Sequence, residues 1–63
     1  MQKISIIIPC HNEEAGIGHV LADIPQDRLK QYGYESEVIV IDNNSTDKTA
    51  AVAASYGAKV IRE

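Results

Sequence analysis

A chain of 63 residues buries only about 60% of its unfolded surface, so it makes one small domain or part of a larger one. Its composition, 44% hydrophobic and 24% charged, excludes a disordered chain, and a net charge of −3 leaves no basic footprint for nucleic acid or an anionic membrane. One cysteine, Cys10, excludes a disulfide scaffold and fits a reducing cytoplasm.

Residues 3–9 are a continuous β-branched run, the pattern of a strand covered on both faces, and Pro9 is expected to end it. Its apolar part, Ile6-Ile7-Ile8, is far too short for a signal segment or a membrane span, so the chain reads as cytoplasmic. Asn12 is a good helix N-cap, with Glu13 and Glu14 placed in the first turn. Ile17, Val20, Leu21 and Ile24 then make one helix face, and Pro25 ends it. A short turn around residues 27–32 leads to Gly33.

Residues 37–42 repeat the first pattern, a buried strand with an acid at its carboxyl end. Residues 43–47 are a polar loop of capping residues, and residues 50–56 are helical by alanine content, with Gly57 suited to the C′ position. Residues 58–62 make a third, more charged strand, as an edge strand would be. The order β-α-β-α-β predicts an α/β, Rossmann-like three-stranded parallel sheet with right-handed crossovers. A doubly wound sheet continues past a third strand, so residues 1–63 are expected to be the incomplete N-terminal segment of a larger domain.

In such a sheet ligands bind beyond the carboxyl ends of the strands. Two ends carry polar chemistry here, residues 9–13 and residues 42–45. If the first two strands are neighbours they form one rim, with helix N-termini directing free amides at it. His11 offers a flat ring to stack on a base, and Asp42 and Asn43 offer acceptors for base or ribose donors. A second reading makes Asn12 and Ser45 plain helix caps and Asp42 a loop-holding residue. These residues alone leave both readings open.

Other signals carry less. Gly16-Ile17-Gly18 lacks the third glycine of a dinucleotide fingerprint and sits inside the helical pattern, where the glycines read as tolerated. Cys10, His11 and His19 have no metal-ligand spacing; a buried thiol and an exposed His19 are expected. The sequons at Asn43 and Asn44 have no signal peptide beside them. Tyr32, Tyr34 and Tyr56 share no spacing and are expected at the core edge.

Residues 6–14, Ile-Ile-Ile-Pro-Cys-His-Asn-Glu-Glu, followed by residues 38–49, Val-Ile-Val-Ile-Asp-Asn-Asn-Ser-Thr-Asp-Lys-Thr, resemble the N-terminus of family-two glycosyltransferases, which have the GT-A fold. Within them the polyprenyl-phosphate sugar synthases look most similar. The resemblance implies transfer of a sugar from a UDP- or GDP-sugar, with a polyprenyl phosphate as a possible acceptor and membrane association of the full-length protein. It implies nucleotide-binding roles for Pro9, Cys10 and His11 against the base, for Glu13 at base or ribose, and for Asp42 and Asn43 as acceptors. His11 replaces the family's usual tyrosine and Asn43 its usual second aspartate, which leaves the base open between uridine and guanosine.

The family's metal-binding Asp-x-Asp is absent, so a divalent metal, Mg or Mn, is expected in the full-length enzyme with ligands outside this segment. The catalytic base is expected there too, and the 63 residues alone are expected to be inactive. The alternative is a non-catalytic nucleotide-binding or interaction module; a third reading is a purely structural fragment. The first strand, central in a parent sheet, would here be a bare apolar edge, which predicts self-association through residues 4–8.

Overall fold

The structure, a computed structural model, describes residues 2–63. Its elements in chain order are β1 (Gln2–Cys10), α1 (Ile17–Ala22), α2 (Gln26–Gln31), β2 (Tyr34–Asp42), α3 (Thr49–Ser55) and β3 (Lys59–Arg62). The three strands are parallel in the order β1-β2-β3. The α/β class and the parallel sheet read from the sequence are therefore present, and β1 and β2 are neighbours. Cys10 lies opposite Asp42, and Asp42 opposite Arg62, so three strand ends meet at one rim.

Each strand is added on the same side of the one before. Right-handed crossovers then place both helical connections on one face of the sheet. That face holds the core: Cys10, Ile17, Leu21, Val40 and Ala53 are buried together, with Ile8, Val38 and Val60 packed against them. The other face is bare. Ile7, 63% exposed, lies beside Ile39, and Ile41 lies beside Ile61, which is 42% exposed. The continuous β-branched runs led us to expect cover on both faces; this segment supplies it on one.

Three local expectations change. β1 runs through Pro9 to Cys10. Residues along a strand direct their backbone groups to alternate sides, and the Cys10 carbonyl accepts from Asn43 N–H at 2.8 Å, so Pro9's missing N–H falls on the open edge where no ladder bond is lost. Asn12 does not cap a helix. Its φ is 51°, α1 begins only at Ile17 after Gly16, and no acid occupies its first turn. The intervening turn closes on Glu13, whose carbonyl accepts from Gly16 and Ile17 N–H at 3.0 and 2.7 Å. The helix face is also narrower than the spacing predicted: Ile17 and Leu21 are buried, but Val20 is 49% exposed.

Gly57, with φ 86°, follows the end of α3 as a C′ glycine should. Gly18 has a role the sequence did not suggest. A Cβ there would lie 3.1 Å from the Tyr56 ring, so the absent side chain lets α1 approach the end of α3. Tyr32, expected to cap the core edge, is 76% exposed.

The one-sided core makes a direct contrast. Ile17→Ala should lower unfolding free energy by about 3 kcal/mol, because it opens a cavity between α1 and the sheet. Ile7→Ala should change it by no more than about 0.5 kcal/mol when both are measured at a concentration dilute enough to keep the chain monomeric. Urea denaturation of the two variants checks this, and equal losses would contradict a core confined to the helical face.

Candidate functional site

Two loops leave the sheet at the rim, residues 11–16 after β1 and residues 43–48 after β2. Consecutive amides of the first are bonded by side chains of the second and of Thr49, the first residue of α3. Asn12 N–H donates to Ser45 Oγ at 2.9 Å, Glu13 N–H to Thr49 Oγ1 at 2.9 Å and Glu14 N–H to Asp47 Oδ2 at 3.3 Å. The second loop is held in return: Thr46 N–H donates to Asn12 Oδ1 at 2.9 Å and Lys48 N–H to Glu14 Oε1 at 2.9 Å. Thr49 accepts from Glu13 while its hydroxyl donates to Asp47 Oδ1. Asn12 and Asn44 take left-handed φ values of 51° and 54°, a region asparagine tolerates better than most residues.

This interlock overturns one expectation. The amides of both loops were expected to face a ligand, but those of residues 12–14, 46, 48 and 49 are bonded to protein side chains. They make no cradle for phosphate. Asn12 and Ser45 are neither ligand groups nor helix caps; they tie the two loops together.

The same interlock leaves other side chains at the surface. His11 Nδ1 lies 2.6 Å from the Asn43 carbonyl oxygen, an atom that can only accept, so Nδ1 carries the proton. Nε2 is then free to accept from Asn12 Nδ2 at 3.3 Å. The ring is exposed yet held at both nitrogens. Asn43 is anchored in turn through its N–H to the Cys10 carbonyl. Pro9, Cys10, His11, Glu13 and Asn43 together line one open concavity of about 290 Å³. Five of the six residues named from the sequence thus converge.

The sixth, Asp42, does not line it. Its side chain is fully buried on the helical side of the sheet, 3.3 Å from Arg62 Nε. That contact is a charge pair rather than an aligned hydrogen bond, and neither carboxylate oxygen has a hydrogen-bond partner among the described residues. Arg62 also reaches the Ser45 carbonyl, donating from Nη2 at 3.1 Å. Cys10 is buried as expected, and its thiol is pushed up by burial first and then by the negative charges of Asp42, Glu13 and Asp47. It stays protonated near neutral pH, so it is a packing group and not a nucleophile.

The model of glycosyl transferase family 2 matches residues 5–63. The chain belongs to this family. It is 47% identical over 60 residues to an uncharacterized glycosyltransferase of Mycobacterium tuberculosis, a match covering 95% of this chain and 24% of that protein. It is 48% identical over 60 residues to a 4,4′-diaponeurosporenoate glycosyltransferase of Staphylococcus aureus, covering 95% of this chain and 15% of that one. Among solved structures it superposes on glucosyl-3-phosphoglycerate synthase from M. tuberculosis in complex with UDP, with a TM-score of 0.76, 36% identity, and coverage of 97% of this chain and 21% of the other. The same synthase has been solved with Mn2+, UDP-glucose and phosphoglyceric acid. The chain thus spans about a quarter or less of the length of these relatives.

For a family-2 segment the site divides cleanly. Asn12, Glu14, Ser45, Asp47 and Thr49 build the interlock; Pro9, His11, Glu13 and Asn43 are displayed by it. Sequence reasoning missed Glu14, Asp47, Thr49 and Arg62. The signal available was spacing: three consecutive amides at 12–14 meet side chains at 45, 47 and 49, alternate positions running from the polar loop into the first residue of α3. Among the described residues no three His, Cys, Asp or Glu side chains converge as metal ligands, and the carboxylate at the end of β2 is already paired with Arg62. The described residues therefore do not fit a divalent metal.

The Asp47 carboxyl is held below its usual 3.8 by the Thr49 hydroxyl first, then by the backbone N–H groups of Thr49 and Glu14. A carboxyl lowered on folding stabilises the fold fully above its unfolded value, and that stabilisation disappears as pH falls through the folded value. Asp47→Ala should therefore lower the melting temperature at pH 7 and narrow the gap to wild type at about pH 3. Thermal melts across that range test this, and a gap independent of pH would count against it. Glu37, held low by the Ser5 hydroxyl and then by Lys3, should leave a residual acid sensitivity in both proteins.

Proposed function

We propose that residues 1–63 supply the base-and-ribose part of the nucleotide-sugar site in a family-2 glycosyltransferase, and that the donor is a UDP-sugar. The observation that carries this reading is the convergence of Pro9, Cys10, His11, Glu13 and Asn43 on one concavity at the carboxyl ends of adjacent parallel strands. The pinned His11 ring offers a preset stacking face, Asn43 an amide for the base edge, and Glu13 an acceptor for ribose hydroxyls. Asp42 acts beneath the site rather than on the ligand. UDP in the related synthase favours uridine over guanosine.

The diphosphate belongs outside this segment. The loop amides are occupied, and Glu13, Glu14 and Asp47 would repel phosphate. In the whole protein a divalent metal, Mg or Mn, would neutralise the leaving group, in keeping with the Mn2+ held by the synthase. The acceptor is open: a polyprenyl phosphate rests on motif resemblance alone, while the relatives' names point to phosphoglyceric acid and diaponeurosporenoate. A cytoplasmic location, with membrane association of the whole protein if its acceptor is a lipid, is part of the proposal. Among the described residues no helix is long and apolar enough to cross a membrane.

Calorimetric titration of the intact protein with UDP and GDP, with and without Mn2+, tests the reading. UDP is expected to bind more tightly than GDP, and His11→Ala to weaken UDP about tenfold through lost stacking. Binding of neither nucleotide would retire the function, and an unchanged affinity in the variant would retire the role of His11. Nucleotide binding without turnover of any UDP-sugar by the intact protein would favour the non-catalytic module.

The isolated 63-residue chain should also self-associate. β1 has an unpaired edge, and Ile7 sits exposed on the bare face beside it. A second copy pairing along residues 4–8 would complete the edge and flank the Ile7 side chain. Light scattering should find dimers or larger species, reduced by Ile7→Lys; a monomer at high concentration would contradict it.

A further inference from the structure

We infer that Arg62 is a positioning residue for the nucleotide site, acting through Ser45 and Asn43 on the His11 ring. The inference rests on the nucleotide reading above but concerns a residue outside the concavity. Arg62 ends β3, opposite Asp42 in the ladder. Its guanidinium makes two contacts in different directions: Nε lies 3.3 Å from buried Asp42 Oδ2, and Nη2 donates to the Ser45 carbonyl at 3.1 Å.

Residues 43–45 are thereby fixed at four points, one of them the Asn44 N–H, which donates to the Asp42 carbonyl at 3.0 Å. Asn43 N–H is bonded to β1 at the Cys10 carbonyl, Ser45 Oγ takes the Asn12 amide, and the Ser45 carbonyl is held from β3 by Arg62. The Asn43 carbonyl that orients His11 lies inside this span. Without Arg62 the Ser45 carbonyl loses its bond from β3, and the span keeps only its backbone ties to Cys10 and Asp42 and the Ser45 hydroxyl's bond to Asn12. A planar fork suits this double task. A lysine would keep a positive charge beside Asp42 but replaces two separated donors with a single ammonium.

The comparison that decides is Arg62→Lys against Arg62→Met in the intact protein. Each is measured for melting temperature, UDP affinity by calorimetry, and the His11 Nδ1–H signal by nitrogen-resolved NMR. If Arg62 positions the loop, Lys restores most of the melting temperature that Met loses. UDP affinity nonetheless stays about tenfold below wild type, the scale of one hydrogen bond to a charged group, and the His11 Nδ1–H signal broadens or disappears. If Arg62 only neutralises Asp42, Lys recovers stability, affinity and the His11 signal together, and the inference is overturned.

Should both variants fail to fold, the wild-type protein still decides. Resolved, slowly rotating Arg62 Nη–H signals support the clip, and averaged, freely rotating ones refute it. Failure of the wild type to bind UDP would remove the nucleotide reading separately, because the His11 and Arg62 signals need no ligand.

Discussion

The rim of this sheet depends on the reciprocal bonding of two loops. Each lends side chains to the other's amides: Ser45, Asp47 and Thr49 to residues 12–14, Asn12 and Glu14 to residues 46 and 48. A loop has no ladder of its own, and a buried amide without a partner costs about 1–3 kcal/mol. Cross-bonding satisfies the part-buried amides of Asn12 and Glu13 and fixes the exposed ones of Glu14, Thr46 and Lys48 in place. It also leaves His11, Glu13 and Asn43 unburied at the surface while their backbones are fixed.

A second constraint comes from below. Asp42 is a fully buried carboxylate, and a buried charge has to be paired to be tolerated. Arg62 supplies the pairing from the next strand, so the charge that closes β2 also couples β3 to the rim. On the opposite side the sheet is unfinished: Ile7, Ile39, Ile41 and Ile61 form an apolar face that the two right-handed crossovers cannot reach. The chain thus has a cross-bonded rim at one end of its strands and an uncovered flank.

The order of elements was legible because it follows from periodicity and from glycines at 33 and 57. Pro9 misled about the end of β1, because its effect depends on whether its nitrogen faces a neighbouring strand, which only the register decides. Asn12 misled because a residue able to cap a helix is equally able to bond a distant loop, and here tertiary contact won. The site was legible as a set of residues, five of which converge. The direction of Asp42 was not, since alternation along β2 assigns it a face only when the helices are known to lie on one side. Arg62 was unreadable as a partner because its role depends on strand order.

The interlocking bonds join residues 33 to 36 positions apart in the chain. Closing a loop of that length is entropically unfavourable until other contacts bring its ends together, and here the pairing of β1 with β2 does so. The rim and the β1–β2 ladder therefore close one and the same loop of chain, and each reduces the closure cost of the other. A slip in the pairing of β1 with β2 would pull the two loops out of reach of each other, so an intact rim reports that the strands beneath it are in register.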